Sequence, residues 1–392
     1  MAPRWLNQFW KVFRRELHLI RLRPLYFLGS VGTMTAAAVF FLTFFSEGLP
    51  QDLPVGVVDF DQTSTSRNFR QQLDATQRSH VISFTTFQDA RRALESGRIN
   101  GFVVIPAHFD EDVQSFRCPK MGVYVNTKNP FVGGALAYKD LLTMVNMTNG
   151  AVQREALRAR GVNDAEIMAR IQPVQVDAHT IGNGPSSYAY YLNNMILTAI
   201  LAMSVVLVVI YSLGAELKYS TSKELLETSG DSIVIALLGK LAPYAMLFTV
   251  LGTLLELILF GFLGYPIHGS VGWMVLAVFT MVLAYGAVAV FIISLIPTLR
   301  LSISIGSLYS VLGITFTGFT LPVVALPAAL QGVSVIFPLR FYYQIYLREV
   351  LYGTGFAGWW PYLVCLLLFL FLPFLTADRL YKAYKYQNYP KN

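Results

Sequence analysis

Apolar runs are distributed unevenly along this chain of 392 residues, and their layout constrains the fold more than any single motif does. One uncharged run, Leu25 to Phe45, is followed by the mixed, polar stretch 46–190, after which five more apolar runs crowd the C-terminal half. About 20 apolar residues are needed for a helix to cross the hydrocarbon core of a bilayer. The runs predict crossings at 25–45, 191–213, 243–264, 271–295, 301–319 and 359–376. The expected fold is an α-helical polytopic membrane protein with six transmembrane helices and an inserted extracytoplasmic α/β domain over 46–190.

Charge supports a membrane setting. Only 14% of the residues are charged, where a soluble domain carries about 25%. The net charge of +7 would suit nucleic acid, but the basic residues gather beside apolar runs, as expected of charge that fixes membrane orientation. Ahead of the first run stand Arg4, Lys11, Arg14, Arg15, Arg21 and Arg23 against one acid, Glu16. The positive-inside rule places that end in the cytoplasm. The inner loops are then 214–242 with Lys218, Lys223 and Lys240, 296–300 with Arg300, and the tail 377–392 with Arg379, Lys382, Lys385 and Lys391. Outer loop 265–270 has no Lys or Arg, and 320–358 has only Arg340 and Arg348. Both termini fall inside. Ser46, Glu47 and Gly48 after the first run form no small-residue cleavage site, so that run reads as an uncleaved anchor.

Residues 1–24 read either as an amphipathic helix on the inner membrane surface or as a basic orienting stretch that happens to be helical. In the inserted domain, LPVGVVDFD (53–61), HVISFT (80–85), GFVVI (101–105) and MGVYVN (121–126) predict strands. A helix capped at Ser64, Thr65 or Ser66, another over 87–97 and a long one over 131–160 alternate with them, the pattern of an α/β sheet. No nucleophile–base arrangement stands out, and His80, His108 and His179 read as surface or cap residues. Gly182–Asn183–Gly184–Pro185 reads as a turn. Cys118 and Cys365 offer neither disulfide nor metal spacing, so no catalytic residue and no metal site is expected.

Two segments carry the functional signal. The inner loop GAELKYSTSKELLETSGDS (214–232) holds a short capped helix with Lys223, Glu224 and Glu227 on one side and Leu225 and Leu226 on another. Such a helix suits a docking contact, an apolar anchor ringed by charge, or serves as a connector resting on headgroups. In the stretch 318–350, Pro322, Pro327 and Pro338 interrupt any long helix and predict short helices dipping into the outer side of the membrane.

In their order and position, these segments resemble the permease subunit of an ABC type-2 exporter, in the branch with a large extracytoplasmic domain between the first two crossings. The resemblance rests on PVGVVDFDQTSTSR, DARRALESGRINGFVVIPAHF and MGVYVN in the outer domain. It rests also on the Glu-rich inner segment with Glu216, Thr221 and Leu226, on LLGKLAPY (237–244), on GFTLPVVALP, and on PLRFYYQIYLRE. Ser220, Ser229 and Leu326 depart from the family pattern. The resemblance implies a bacterial inner-membrane protein working as a homo- or heterodimer of permeases with a separate ABC ATPase. It implies docking through Glu216, Lys223, Glu224, Leu225 and Leu226, and a membrane-fusion or periplasmic adaptor on the outer domain. No cofactor is expected on this chain; ATP would be used by the partner, because Gly239–Lys240 is followed by Leu241 and lacks the rest of a phosphate loop.

Glu256, deep in the third run, is costly in hydrocarbon unless paired or wet. It reads as a translocation-path or dimer-contact residue, or as a fold-fixing partner of Arg340 or Arg348. Ser302, Gly306, Ser310, Gly313 and Thr317 form a small-residue face suited to close helix packing, at a dimer seam or along a pathway that would include Gly318, Pro322 and Pro327. Asn193 and Asn194 read as interfacial, and Tyr188–Tyr191, Trp359–Trp360 and Tyr381–Tyr386 as membrane-boundary aromatics. The function expected is export of an amphiphilic small molecule. The alternatives are a polysaccharide or glycolipid exporter permease, and a non-transporting envelope scaffold or receptor.

Overall fold

The computed structural model describes residues 3–46, 52–76, 78–115, 117, 119–125, 135–172, 187, 189–319, 322–387 and 389. The chain divides into two compact units, Met1–Gly48 with Thr180–Asn392, and Leu49–His179. Cys118, His179, Tyr188 and the turn at 182–185 lie outside the described residues.

The first unit opens with helix α1 (Arg4–Leu22), whose basic and aromatic outer side leaves Trp5 and Trp10 exposed while Val12 and Glu16 are buried. Arg23 breaks it, and α2 (Pro24–Phe44) follows as an apolar span.

The second unit is built on a four-stranded sheet: β1 (Leu53–Asp59), β2 (Ser79–Phe84), β3 (Gly101–Ile105) and β4 (Gly122–Val125) in the order β2-β1-β3-β4. β1 runs parallel to β2 and β3, with Val57 opposite Ser83 and Val103, and β3 pairs antiparallel with β4. Helices α3 (Ser64–Asp74), α4 (Phe87–Glu95), α5 (Phe109–Gln114), α6 (Ala135–Ala159) and α7 (Asp164–Ile171) accompany it. Alternation along β1 decides the two faces. Val55 and Val57 join Phe69, Leu73, Phe109 and Leu141, while Val58 joins Ala90, Ala93 and Phe102. The cap of α3 is Thr63, whose side chain accepts from the Ser66 amide, so the start lies just before the serines and threonine expected to cap it.

The first unit continues with α8 (Asn194–Lys218), α9 (Ser222–Thr228), α10 (Ile233–Phe262), α11 (Val271–Leu295), α12 (Leu299–Thr315), α13 (Ala328–Ser334), α14 (Pro338–Tyr346) and α15 (Phe356–Tyr386). Among the described residues, α2, α8, α10, α11 and α15 are long and apolar enough to cross a membrane; α12, at 17 residues, is a shorter apolar helix. Two boundaries differ from the expected ones. The third apolar helix begins at Ile233, ten residues before 243, with Pro243 inside it. Lys240 is therefore not a loop charge; it is buried in the helix, where two carboxylates compensate it. The last helix continues past 376 to Tyr386, so most of the expected tail is helical. Pro327 immediately precedes α13 and Pro338 starts α14, the places where a missing amide costs nothing.

Candidate functional site

The polar centre of the helical unit gathers at the junction of α1, α8, α9 and α10. The Lys240 ammonium lies 2.5 Å from Glu16 Oε2 and 2.8 Å from Glu216 Oε1. All three side chains are buried. Arg15 grips Glu216 with two parallel bonds, Nη1 to Oε1 at 2.7 Å and Nη2 to Oε2 at 3.1 Å. The Tyr244 and Ser212 hydroxyls donate to Glu16 Oε1 at 2.6 and 2.9 Å. Two cations face two carboxylates, so the cluster is neutral, and its carboxylates accept further hydrogen bonds. That satisfaction is what makes buried ions tolerable in a low dielectric. Burial of Arg15 works against its charge, but hydrogen bonding to Glu216 and the nearby carboxylates outweigh it and hold the guanidinium above its ordinary range.

Geometry brings these groups together through a close helix crossing. A side chain at Gly239 would come within 2.8 Å of the Val12 Cβ, so glycine lets α1 lie directly on α10. The α1 helix is thus docked on protein along its Val12–Glu16 side, an arrangement that goes beyond both readings of residues 1–24. Arg15 also reaches Glu224 of α9 at 3.4 Å. From the other side, the Ser222 hydroxyl donates to the Tyr384 carbonyl at 2.9 Å, and the Tyr384 hydroxyl donates to the Leu213 carbonyl at 2.9 Å. Tyr384 is a buried clasp.

The five expected docking residues separate accordingly. Lys223 and Glu224 are exposed, as is Glu227. Leu225 and Leu226 are buried in the helical core, and Glu216 is buried in the ion cluster. These three are occupied within the chain and hold α9 in place, whereas the docking expectation has them facing a partner.

A second polar centre surrounds Glu256, which is fully buried. Its Oε1 accepts from the Tyr342 hydroxyl at 2.7 Å and its Oε2 from Asn194 Nδ2 at 3.2 Å. Neither arginine offered as a partner reaches it. Arg340 donates to the Gln331 carbonyl and to Ser334; Arg348 donates to Gln344 and stacks on Tyr362. Asn193 and Asn194 are buried, and Asn193 donates to Tyr265 at 2.8 Å. Wide π turns at Ala189–Asn193 and Leu257–Phe262 adjoin this centre, a local geometry enriched at functional sites. A further buried acid, Glu349, accepts from the Ser270 amide and from Trp359 Nε1, each at 2.7 Å. Trp359 is consequently buried, while Trp360 remains exposed.

The small-residue face of α12 is used inside the subunit. Ser302, Gly306, Ser310 and Gly313 are buried. A side chain at Gly306 would lie 2.6 Å from Ile210 and 3.0 Å from Val206 of α8. At Gly306 the space beside α12 is already filled by α8. Gly318 takes a left-handed turn at φ 88°, and Pro322 and Pro327 are exposed at the starts of short helical turns.

A family model of ABC-2 family transporter proteins matches residues 25–377, most of the chain. The chain belongs to that family. It is an ABC permease component, a membrane-embedded multi-pass protein of a class that associates with an ABC ATPase. No curated protein matches the permease significantly. The ion cluster was missed in the sequence because its members are scattered at 15, 16, 216 and 240. The available signals were Lys240 within the apolar run LLGKLAPY and Glu16 as the lone acid of a basic helix.

Proposed function

We propose that this permease is the transmembrane half of an ATP-driven exporter, moving an amphiphilic small molecule out of the cytoplasm or inner leaflet. The inserted α/β unit lies on the extracytoplasmic side in this reading, with both termini cytoplasmic. A separate ABC ATPase docks on the exposed face of α9, at Lys223, Glu224 and Glu227. A second permease copy completes the pathway, and an adaptor of the membrane-fusion type meets the outer unit.

One observation carries the reading. Arg15 bonds both to exposed Glu224 on α9 and to buried Glu216 at the end of α8. A load applied to α9 therefore passes directly to α8, and through Lys240 to α10. Glu256 lies further along α10, among groups that rearranging spans would separate, and is the residue proposed to sense the pathway.

The test is a charge reversal on a surface that bears little on folding. Glu224→Lys and Lys223→Glu should leave the thermal midpoint of the purified permease nearly unchanged, as exposed substitutions do. They should abolish co-purification of the ATPase and efflux of an amphiphilic dye from cells. A protein that served only as an envelope scaffold would keep its function with either substitution, and that result would overturn the proposal.

A further inference from the structure

The inserted unit contains a half-open cleft of about 520 Å³ between α6 and the segment that runs from α5 towards β4. That size falls within the range of small-molecule sites, which are mostly apolar with a few polar groups. Val113, Met121 and Val152 are only half-buried and turn apolar surface into it. Two features bear on what the cleft can hold. Thr148 is buried on the cleft wall, and its hydroxyl has no hydrogen-bond partner, although a buried hydroxyl ordinarily finds one. Arg117 stands at the cleft, largely exposed and held by a single 3.5 Å contact to Asp112. It is the only charged residue lining the cleft among the described residues.

We infer that this cleft binds a single-chain anionic amphiphile. The chain lies against Val113, Met121 and Val152, a ligand oxygen near the head meets the Thr148 hydroxyl, and the anionic head pairs with Arg117. Each part answers an observation: an apolar wall that water covers poorly, an unpaired buried hydroxyl, and a cation with no acid lining the same cleft. The inference deepens the proposed export of amphiphiles by giving the inserted unit a receiving site for one. Its test requires neither ATP nor an ATPase, so failure here leaves the transport reading intact.

The experiment is photolabelling of the full-length permease in lipid nanodiscs, followed by peptide mapping. The probe is a lysophosphatidylglycerol with a diazirine in its chain, and the comparison is the matching zwitterionic lysophosphatidylcholine. Label from the anionic probe is expected on residues 145–157 and 109–121, about threefold above that from the zwitterionic one, as a single exposed charge contact gives. Val152→Trp, which fills the cleft, and Arg117→Ala, a change at an exposed side chain that leaves folding intact, should each cut this labelling severalfold while labelling of the apolar helices is unchanged. Absence of label from both segments, equal labelling by the two lipids, or indifference to Arg117→Ala would overturn the assignment.

Discussion

The Lys240 ammonium lies 2.5 Å from the Glu16 carboxylate, joining an N-terminal helix to the third long apolar helix of the chain. Lys240 also compensates Glu216. Lys240→Met leaves two buried carboxylates to a single arginine. Breaking a buried pair from one side costs about 3–5 kcal/mol, so the variant should show a markedly lower thermal midpoint in detergent. Lys240→Met combined with Glu16→Gln should recover a good part of the loss, because the second change removes the orphaned charge. An unchanged midpoint in the single variant would contradict the cluster.

Gly239 is where α1 touches α10. Gly239→Leu would drive a side chain into Val12 and the backbone at Phe9. Overpacking of this kind costs about 1–3 kcal/mol, and here the strain is relieved most easily by lifting α1. The expected result is faster proteolysis within residues 4–22, with the apolar helices still protected.

Glu256 accepts two hydrogen bonds from neutral donors, Tyr342 and Asn194. Glu256→Gln keeps the shape and an acceptor and should fold. Glu256→Leu strands both donors in a buried site, at about 1–3 kcal/mol for each unpaired group. The comparison is made by yield and thermal midpoint, with Gln clearly above Leu. If the Gln variant folds yet loses efflux, the carboxyl group acts in transport and not only in packing.

Acid should loosen the α6–α7 hairpin. Asp164 accepts from Arg158 at 2.8 and 2.6 Å, and that hydrogen bonding holds its carboxyl below the ordinary value. A carboxyl lowered in the folded state stabilises above its unfolded value, about 3.9, and loses that contribution as pH falls through the folded one. Asp164→Asn should thus speed hydrogen exchange over 160–171 at neutral pH, and the difference from the natural residue should vanish in strong acid.

The long apolar helices were legible because lipid demands length and hydropathy, and both are local properties of a sequence. The alternation of Val55, Val57 and their neighbours likewise marked β1 as a strand. Helix ends were less legible. Lys240 looks like a loop residue until Glu16 and Glu216 are placed beside it, and no local rule brings residues 16 and 240 together. Leu225 and Leu226 posed the same difficulty in reverse. An apolar pair on a short polar helix serves equally for a partner or for the chain's own core, and only the packed structure decides between them. Glu349 gave no sequence signal, since its partners are a backbone amide and an indole.

The order of synthesis gives the ion cluster a further consequence. Arg15 and Glu16 are made long before residues 216 and 240, so their charges must at first be solvated by water. When the helix carrying Lys240 is made, the Glu16 counter-ion already exists, ready to neutralise the cation as the two helices pack. Removal of the first twenty-two residues should therefore impair biogenesis of the helices that follow, even though none of those residues belongs to an apolar crossing.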